Sequence, residues 1–124
     1  MNKYKGETKG TLANKEYVFR LTFESIVSIE DRTNKSIMQI ATEMGNNNFA
    51  MRDIVIVLYE ALKGADNKIV QKAVGDLVIQ NGLVNSAVLA SQILTTIFMG
   101  EKKEDNDPLV EAENKEQNTP SKNT

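Results

Sequence analysis

The sequence predicts an α+β fold in which an N-terminal β-hairpin packs on a small bundle of about five helices, followed by a disordered C-terminal tail. Apolar residues alternate at period two up to residue 23, and they recur at helical spacing from there to residue 99. The composition then turns polar at Gly100. A chain of 124 residues is long enough for one domain. We therefore expect residues 1–99 to form a single domain and residues 100–124 to form the tail.

The hairpin is predicted from the alternation of apolar and mixed positions around residue 20. The apolar positions are Tyr17, Phe19, Leu21 and Phe23. Such a pattern gives a strand one apolar face. A weaker strand rich in Thr and Gly, Glu7–Leu12, precedes it. Ala13-Asn14-Lys15 joins the two strands, since Asn tolerates the left-handed conformation that such turns need.

Five helices are predicted from apolar periodicity and from residues that begin or end helices. Their approximate ranges are Phe23–Arg32, Ile37–Met44, Ala50–Lys63, Lys68–Gln80 and Ser86–Met99. The expected N-caps are Thr22, Ser36, Asp66 and Asn85, and the expected terminators are Gly64, Gly82 and Gly100. Helix three is apolar over about 200° of its circumference, which predicts a place at the centre of the bundle.

Three apolar residues lie on otherwise polar arcs of helices three and five: Ile56, Val88 and Met99. One interpretation is that neighbouring helices cover them or that they are scattered surface residues. The other is that they form a binding surface for a partner protein. The sequence leaves both interpretations open.

Glu30 is the most unusual charged residue of the sequence. It falls between Ile26 and Phe23 within the apolar arc of helix one, close to a helix C-terminus where negative charge is disfavoured. A buried carboxylate needs a partner, so we expect a structural ion pair with Arg20 or Arg52. The sequence offers no second acid, nucleophile or oxyanion site beside it, so a catalytic role is disfavoured.

Composition argues against several classes of function. The chain has neither His nor Cys, which removes the usual general base, the thiolate nucleophile and the commonest metal ligands. No glycine-rich phosphate loop occurs, and the formal net charge is only −2. We therefore expect no enzyme activity, cofactor, metal or nucleic-acid partner. The polar N-terminus and the lack of a long apolar stretch predict a cytoplasmic protein without a membrane association.

The C-terminal tail is predicted from composition alone. It holds seven acidic residues against four lysines, and its few apolar residues include Leu109 and Val110. Such a segment cannot bury enough apolar surface to offset its conformational entropy. The domain that precedes it is close to neutral.

The order of several short motifs resembles a known family. They are Lys5-Gly6-Glu7, the run Tyr17–Phe23 with the helix reaching Ile29-Glu30, Met51-Arg52-Asp53-Ile54, the run Leu58–Gly64, and Asn81-Gly82-Leu83. In this order they resemble a gene-transfer-agent and phage family once labelled tail tube proteins and now usually grouped with tail assembly chaperones. The resemblance covers approximately residues 5–99. Asn14-Lys15 departs from it, since the family often has a Gly in the turn.

The resemblance implies a role in building a phage-like tail in the cytoplasm of a bacterial host. The first expectation is a tail assembly chaperone that binds the tape measure protein and keeps it soluble until tube subunits polymerise around it. The alternative is a structural tail tube component, present in particles at many copies, although one hairpin is small for a tube wall. The tail tube protein is a second expected partner, and self-association is left open. A small regulatory or DNA-binding protein is disfavoured by the near-neutral domain.

Overall fold

The computed structural model describes residues 6–99, in which a β-hairpin is followed by five helices. The elements are β1 (Glu7–Leu12), β2 (Lys15–Arg20), α1 (Phe23–Thr33), α2 (Ile37–Gly45), α3 (Met51–Gly64), α4 (Gln71–Asn81) and α5 (Leu83–Met99). The predicted α+β fold is confirmed. The predicted disordered tail, residues 100–124, lies outside the described residues.

β1 and β2 pair antiparallel through a two-residue turn. The pairing runs from Glu7 opposite Arg20 to Leu12 opposite Lys15. Ala13 and Asn14 both have positive φ, 53° and 68°. Two successive residues of this kind are typical of the type I′ turn, whose twist matches that of a hairpin. The turn is one residue shorter than expected, because Lys15 already belongs to β2.

α3 lies at the centre of the domain, as its nearly all-round apolar surface predicted. It contacts β2, α1, α4 and α5. Its fully buried residues are Ile54, Val57, Leu58, Ala61 and Leu62. The hairpin adds Phe19 and Leu12 to the same core, and α5 adds Ile93 and Leu94. The fold is thus a ring of elements around one apolar helix.

Two of the predicted N-caps are confirmed by hydrogen bonds. Thr22 Oγ1 accepts from the Ser25 backbone N–H at 3.0 Å, and Ser25 Oγ accepts from the Thr22 N–H at 3.1 Å. Ser36 Oγ accepts from the Gln39 N–H at 3.0 Å. These bonds satisfy helix N–H groups that have no partner within the helix. Gly82, with φ of 96°, ends α4 as expected.

The other two predicted N-caps are wrong. α4 begins at Gln71 after Val70, and Asp66 instead lies in the left-handed turn that follows α3, with φ of 67°. α5 begins at Leu83, which places Asn85 inside the helix, where its side-chain amide donates to the Asn81 carbonyl at 3.1 Å. Asp and Asn favour both caps and left-handed turns, so sequence alone could not separate the two roles.

Gly64 is the last residue of α3 and not a left-handed terminator beyond it. A Cβ atom at this position would collide with the backbone carbonyl oxygen of Arg20 at the end of β2. The glycine is therefore needed because the C-terminus of α3 approaches the hairpin backbone closely.

Candidate functional site

The three predicted partner-binding residues fall into two different environments. Ile56 is only 3% exposed, whereas Val88 is 53% and Met99 is 67% exposed. Ile56 is buried because α3 is surrounded by other elements on nearly every side. It therefore belongs to the core, and its assignment to a binding surface is wrong. Val88 and Met99 remain available at the surface of α5.

Val88 and Met99 belong to a continuous exposed surface along one side of α5. We define this α5 outer face by Val84, Val88, Ser91, Gln92, Thr95, Phe98 and Met99, all of which are exposed except the half-buried Ser91. Val84, Val88, Ser91, Thr95 and Phe98 follow one another at alternating spacings of four and three, the repeat of a helix-packing seam. α5 contains no charged residue from Leu83 to Met99. The face can thus pack against another protein without desolvating a charge.

The opposite side of α5 fixes this face to the rest of the domain. Leu89, Ala90, Ile93 and Leu94 are buried there, and α5 contacts α3, α2 and β1. Gly10 of β1 allows especially close packing, because a Cβ atom at that position would collide with the Leu89 side chain. Apolar packing on the opposite side of α5 therefore holds the α5 outer face in a fixed position on the domain.

The predicted ion pair of Glu30 is not formed. Its carboxylate Oε2 instead accepts a hydrogen bond at 2.8 Å from the backbone N–H of Ile37, the first residue of α2. The N–H groups at a helix N-terminus favour a negative charge, which satisfies this carboxylate without a cation. Arg52 bonds to Asp53 instead, and within residues 6–99 neither Arg20 nor Arg52 forms an ion pair with Glu30.

A buried carboxylate that the sequence analysis did not single out lies in the first turn of α3. Asp53 is 1% exposed, and its two oxygens accept hydrogen bonds from Lys35 at 2.7 Å and from Arg52 at 3.1 Å. Lys35 Nζ also lies 2.8 Å from the carboxylate of Glu43 in α2. The hydrogen bond to Asp53, followed by that to Glu43, raises the pKa of Lys35. The hydrogen bond from Lys35, followed by that from Gln39, lowers the pKa of Glu43.

A second buried carboxylate, Glu60, joins α3 to α1. It is 4% exposed, and its Oε2 accepts from Ser28 Oγ at 2.8 Å and from Arg32 at 3.1 Å. Arg32 and Lys63 both lie over the ring of Tyr59, at 5.8 Å and 5.4 Å from its centre. The buried carboxylate of Glu60 thus has a cationic partner within the domain.

An open groove of about 270 Å³ adjoins Glu60. It is lined by Thr22, Glu24, Ser25, Ser28, Glu60, Lys63 and Gly64. The carboxylate of Glu60 already accepts hydrogen bonds from α1, and Ser25 takes part in the cap of that helix. Among the described residues, no group of three or more acidic side chains is placed to hold a metal ion. The groove therefore does not support the assignment of a catalytic site.

The sequence did contain a signal for Asp53 and Glu60. A helix predicted to be apolar almost all round lies inside a bundle, so its few charged residues must be buried and paired there. On a helical wheel both residues fall on the narrow polar arc of this helix, which does not identify their partners. Their partners Lys35 and Arg32 belong to other elements, and no local spacing connects them.

Within residues 6–99 no single helix is both long and apolar enough to cross a membrane. α4 and α5 meet that length and composition only as a pair, bent by 118° between them.

Comparison with known proteins identifies one family. The model of the family described as phage tail tube protein, GTA-gp10, matches residues 5–100. This range includes the hairpin and all five helices. Neither the curated proteins nor the solved structures contain a match to the chain.

The match corrects the first functional expectation. The family resemblance implied a tail assembly chaperone for the tape measure protein, with a tail tube component as the alternative. The matching family is described as a tail tube protein, which agrees with the alternative and contradicts the chaperone. The more general expectation, a protein of the gene-transfer-agent and phage tail family, is confirmed.

Proposed function

The chain belongs to the family of the phage tail tube protein, GTA-gp10, and we propose that it is a structural component of the tail tube of a phage or gene transfer agent particle. The family match over residues 5–100 is the observation that carries this proposal. It spans every helix and strand of the domain, so it concerns the whole fold and not a short motif.

A tube subunit must contact other subunits, and the α5 outer face is the surface we assign to one such contact. α5 has 17 residues, which makes the face roughly 25 Å long. Val88 and Met99 supply exposed apolar side chains near its middle and its end. The absence of charge along α5 means that neither like-charge repulsion nor loss of ion hydration opposes packing.

The two buried carboxylate clusters support this role by fixing the helices behind that face. Asp53 connects α3 to Lys35 in the α1–α2 loop, and Glu60 connects α3 to Arg32 of α1. α5 in turn packs on α3 through its buried side. Subunits with such internal connections present the same surface in every copy, which a repeating assembly requires.

The expected partner on this proposal is another tail tube subunit, and the tape measure protein stays an untested prediction. Assembly in the cytoplasm of a bacterial host also stays a prediction. The proposed contact requires no cofactor, metal or nucleic acid, because it depends on apolar packing between protein surfaces.

The direct biochemical test is the copy number of the chain in purified particles. Particles are separated from free protein by density gradient, and the chain is quantified by mass spectrometry against a capsid subunit. A tube component is expected at many copies per particle, since a tube repeats its subunit along its length. Absence of the chain from washed, tailed particles would refute the proposal.

A further inference from the structure

The outer edge of β1 presents backbone groups that β2 does not use. In a hairpin closed by a two-residue turn, the residues that flank the turn, here Leu12 and Lys15, form a hydrogen-bonded pair. Hydrogen-bonded and non-bonded pairs alternate from there along the ladder. The N–H and C=O groups of Glu7, Lys9 and Thr11 therefore point away from β2.

The two edges of the hairpin differ in how they are covered. At the β2 edge, the Val18 carbonyl accepts a hydrogen bond from Asn67 Nδ2 at 2.9 Å, and Gly64 packs against the Arg20 carbonyl. At the β1 edge, no backbone group from 6 to 99 outside the hairpin bonds to the backbone of residues 7, 9 or 11. The side-chain bond of α4 at this end is made beyond the strand, where the Ala13 N–H of the turn donates to Asn81 Oδ1 at 3.0 Å. α5 packs on the face of β1, where Gly10 meets Leu89.

We propose that the β1 edge pairs antiparallel with the same edge of a second copy of this chain, with Thr8 opposite Thr8 of the second copy. This pairing joins two hairpins into one four-stranded sheet. Glu7 then lies opposite Lys9 of the second copy, and Lys9 lies opposite Glu7 of the second copy. All four side chains are on the exposed face of the hairpin.

Charge selects this register among those that pair β1 with itself. Within β1, only Glu7, Lys9 and Thr11 have backbone groups that point outward, so those that pair must lie opposite outward-pointing positions of the second copy. The pairing must therefore be centred on a single residue of β1, and neighbouring registers differ by moving that centre one residue along the strand. Centring on Glu7 or on Lys9 places identical charges opposite each other. Centring on Thr8 gives two pairs of opposite charge and a Thr–Thr pair, both of which stabilise adjacent strands.

The inference goes beyond the proposed function, because it follows from the hairpin register and its charges whether or not the chain is found in tails. Pairing is symmetric and uses the same edge of both copies, so it closes at a dimer. The contact is small, so we expect the dimer to be weak and reversible. Its Kd should lie at about 10 µM to 1 mM.

Sedimentation velocity of the full chain at low salt tests this pairing. Lys9→Glu and Glu7→Lys each place like charges opposite each other twice, and each is expected to raise the dimer Kd by about tenfold or more. The double variant Glu7→Lys/Lys9→Glu restores opposite charges and is expected to restore the dimer. Lys68→Glu, in the exposed α3–α4 connection, is the charge-matched control and should leave the Kd unchanged.

A second variant tests the backbone part of the contact. Lys9→Pro removes an N–H that points outward and leaves the bonds between β1 and β2 in place, so circular dichroism should be retained while the dimer is lost. Amide exchange should also slow at Glu7 and Lys9 as the concentration rises. A chain that stays monomeric at millimolar concentration, or a double variant that fails to restore the dimer, would overturn the pairing.

Discussion

Lys35 Nζ lies 2.7 Å from the carboxylate oxygen Oδ2 of the buried Asp53, and this contact joins the α1–α2 loop to the first turn of α3. The same ammonium group lies 2.8 Å from the carboxylate of Glu43, so one cation holds two helices. The central helix therefore depends on charge pairing at its N-terminus as well as on apolar packing along its length.

Removing the buried carboxylate should destabilise the domain strongly. Asp53→Ala leaves Lys35 without its closest partner and opens a small cavity, and we expect the free energy of unfolding to fall by about 2–4 kcal/mol. Asp76→Ala is the matched control, since Asp76 is exposed on α4 and lies 3.9 Å from Lys72. It should change stability by less than about 0.5 kcal/mol. Urea unfolding measures both, and equal effects of the two variants would contradict the role of Asp53.

Glu43 should make the stability depend on pH in the acid range. Its pKa is lowered in the folded state from an ordinary value of 4.5, chiefly by the hydrogen bond from Lys35. The contribution is therefore present above pH 4.5 and is lost as the pH falls through the lowered pKa. Glu43→Gln should be less stable than the wild type at neutral pH, and the difference should shrink toward pH 3.

The Lys35–Glu43 pair should also lose its contribution to stability at alkaline pH, and replacing Lys35 provides a control for Glu43. The pKa of Lys35 is raised from 10.5, so its contribution is complete at neutral pH and is lost only as the pH rises through the raised value. In a Lys35→Met background, Glu43→Gln should lose most of its effect at neutral pH, because the partner is gone. Undiminished acid sensitivity in that background would show that Glu43 acts through another group.

Two of the helical glycines, Gly64 and Gly75, should respond oppositely to alanine. Gly64→Ala places a methyl group against the Arg20 carbonyl, and we expect a loss of about 1–3 kcal/mol. Gly75 lies within α4 with no atom near its missing side chain, so Gly75→Ala should stabilise by up to about 1 kcal/mol. Thermal unfolding of the two variants in parallel provides the comparison. A neutral Gly64→Ala would mean that α3 does not approach β2 as closely as described.

Substitutions at two apolar residues should distinguish an effect on folding from an effect on assembly. Ile56→Asp buries an unpaired charge in the core, and we expect the domain to unfold. Val88→Asp places the same charge at the surface of α5, where it should change the melting temperature little but reduce the yield of assembled tails. Electron microscopy of particles from complemented deletion strains counts the tails. Normal tail yield with a folded Val88→Asp variant would show that the α5 outer face is not needed for tail assembly.

Local signals in the sequence were sufficient to predict most of the fold. Period-two alternation gave the hairpin, and Thr22 and Ser36 marked helix starts because their hydroxyl groups accept helix N–H bonds. The starts of α4 and α5 were missed because Asp66 and Asn85 suit more than one local conformation. Local patterns thus predicted the elements better than their boundaries.

The candidate surface was only partly predictable, because exposure depends on packing between distant elements. Val88 and Ile56 gave the same signal on a helical wheel, and only the position of α3 inside the bundle separates them. Glu30 was recognised as a charge that needs a partner, but the N-terminus of α2 supplies it. A helix N-terminus offers backbone N–H groups that no search for cationic side chains can find.

Cryo-electron microscopy of purified tails shows whether this domain forms the wall of the tube. We expect density for residues 6–99 as a unit that repeats around and along the tube, with the α5 outer face against a neighbouring subunit. A tube wall fully explained by a different polypeptide, with no density for this domain, would contradict the proposed function.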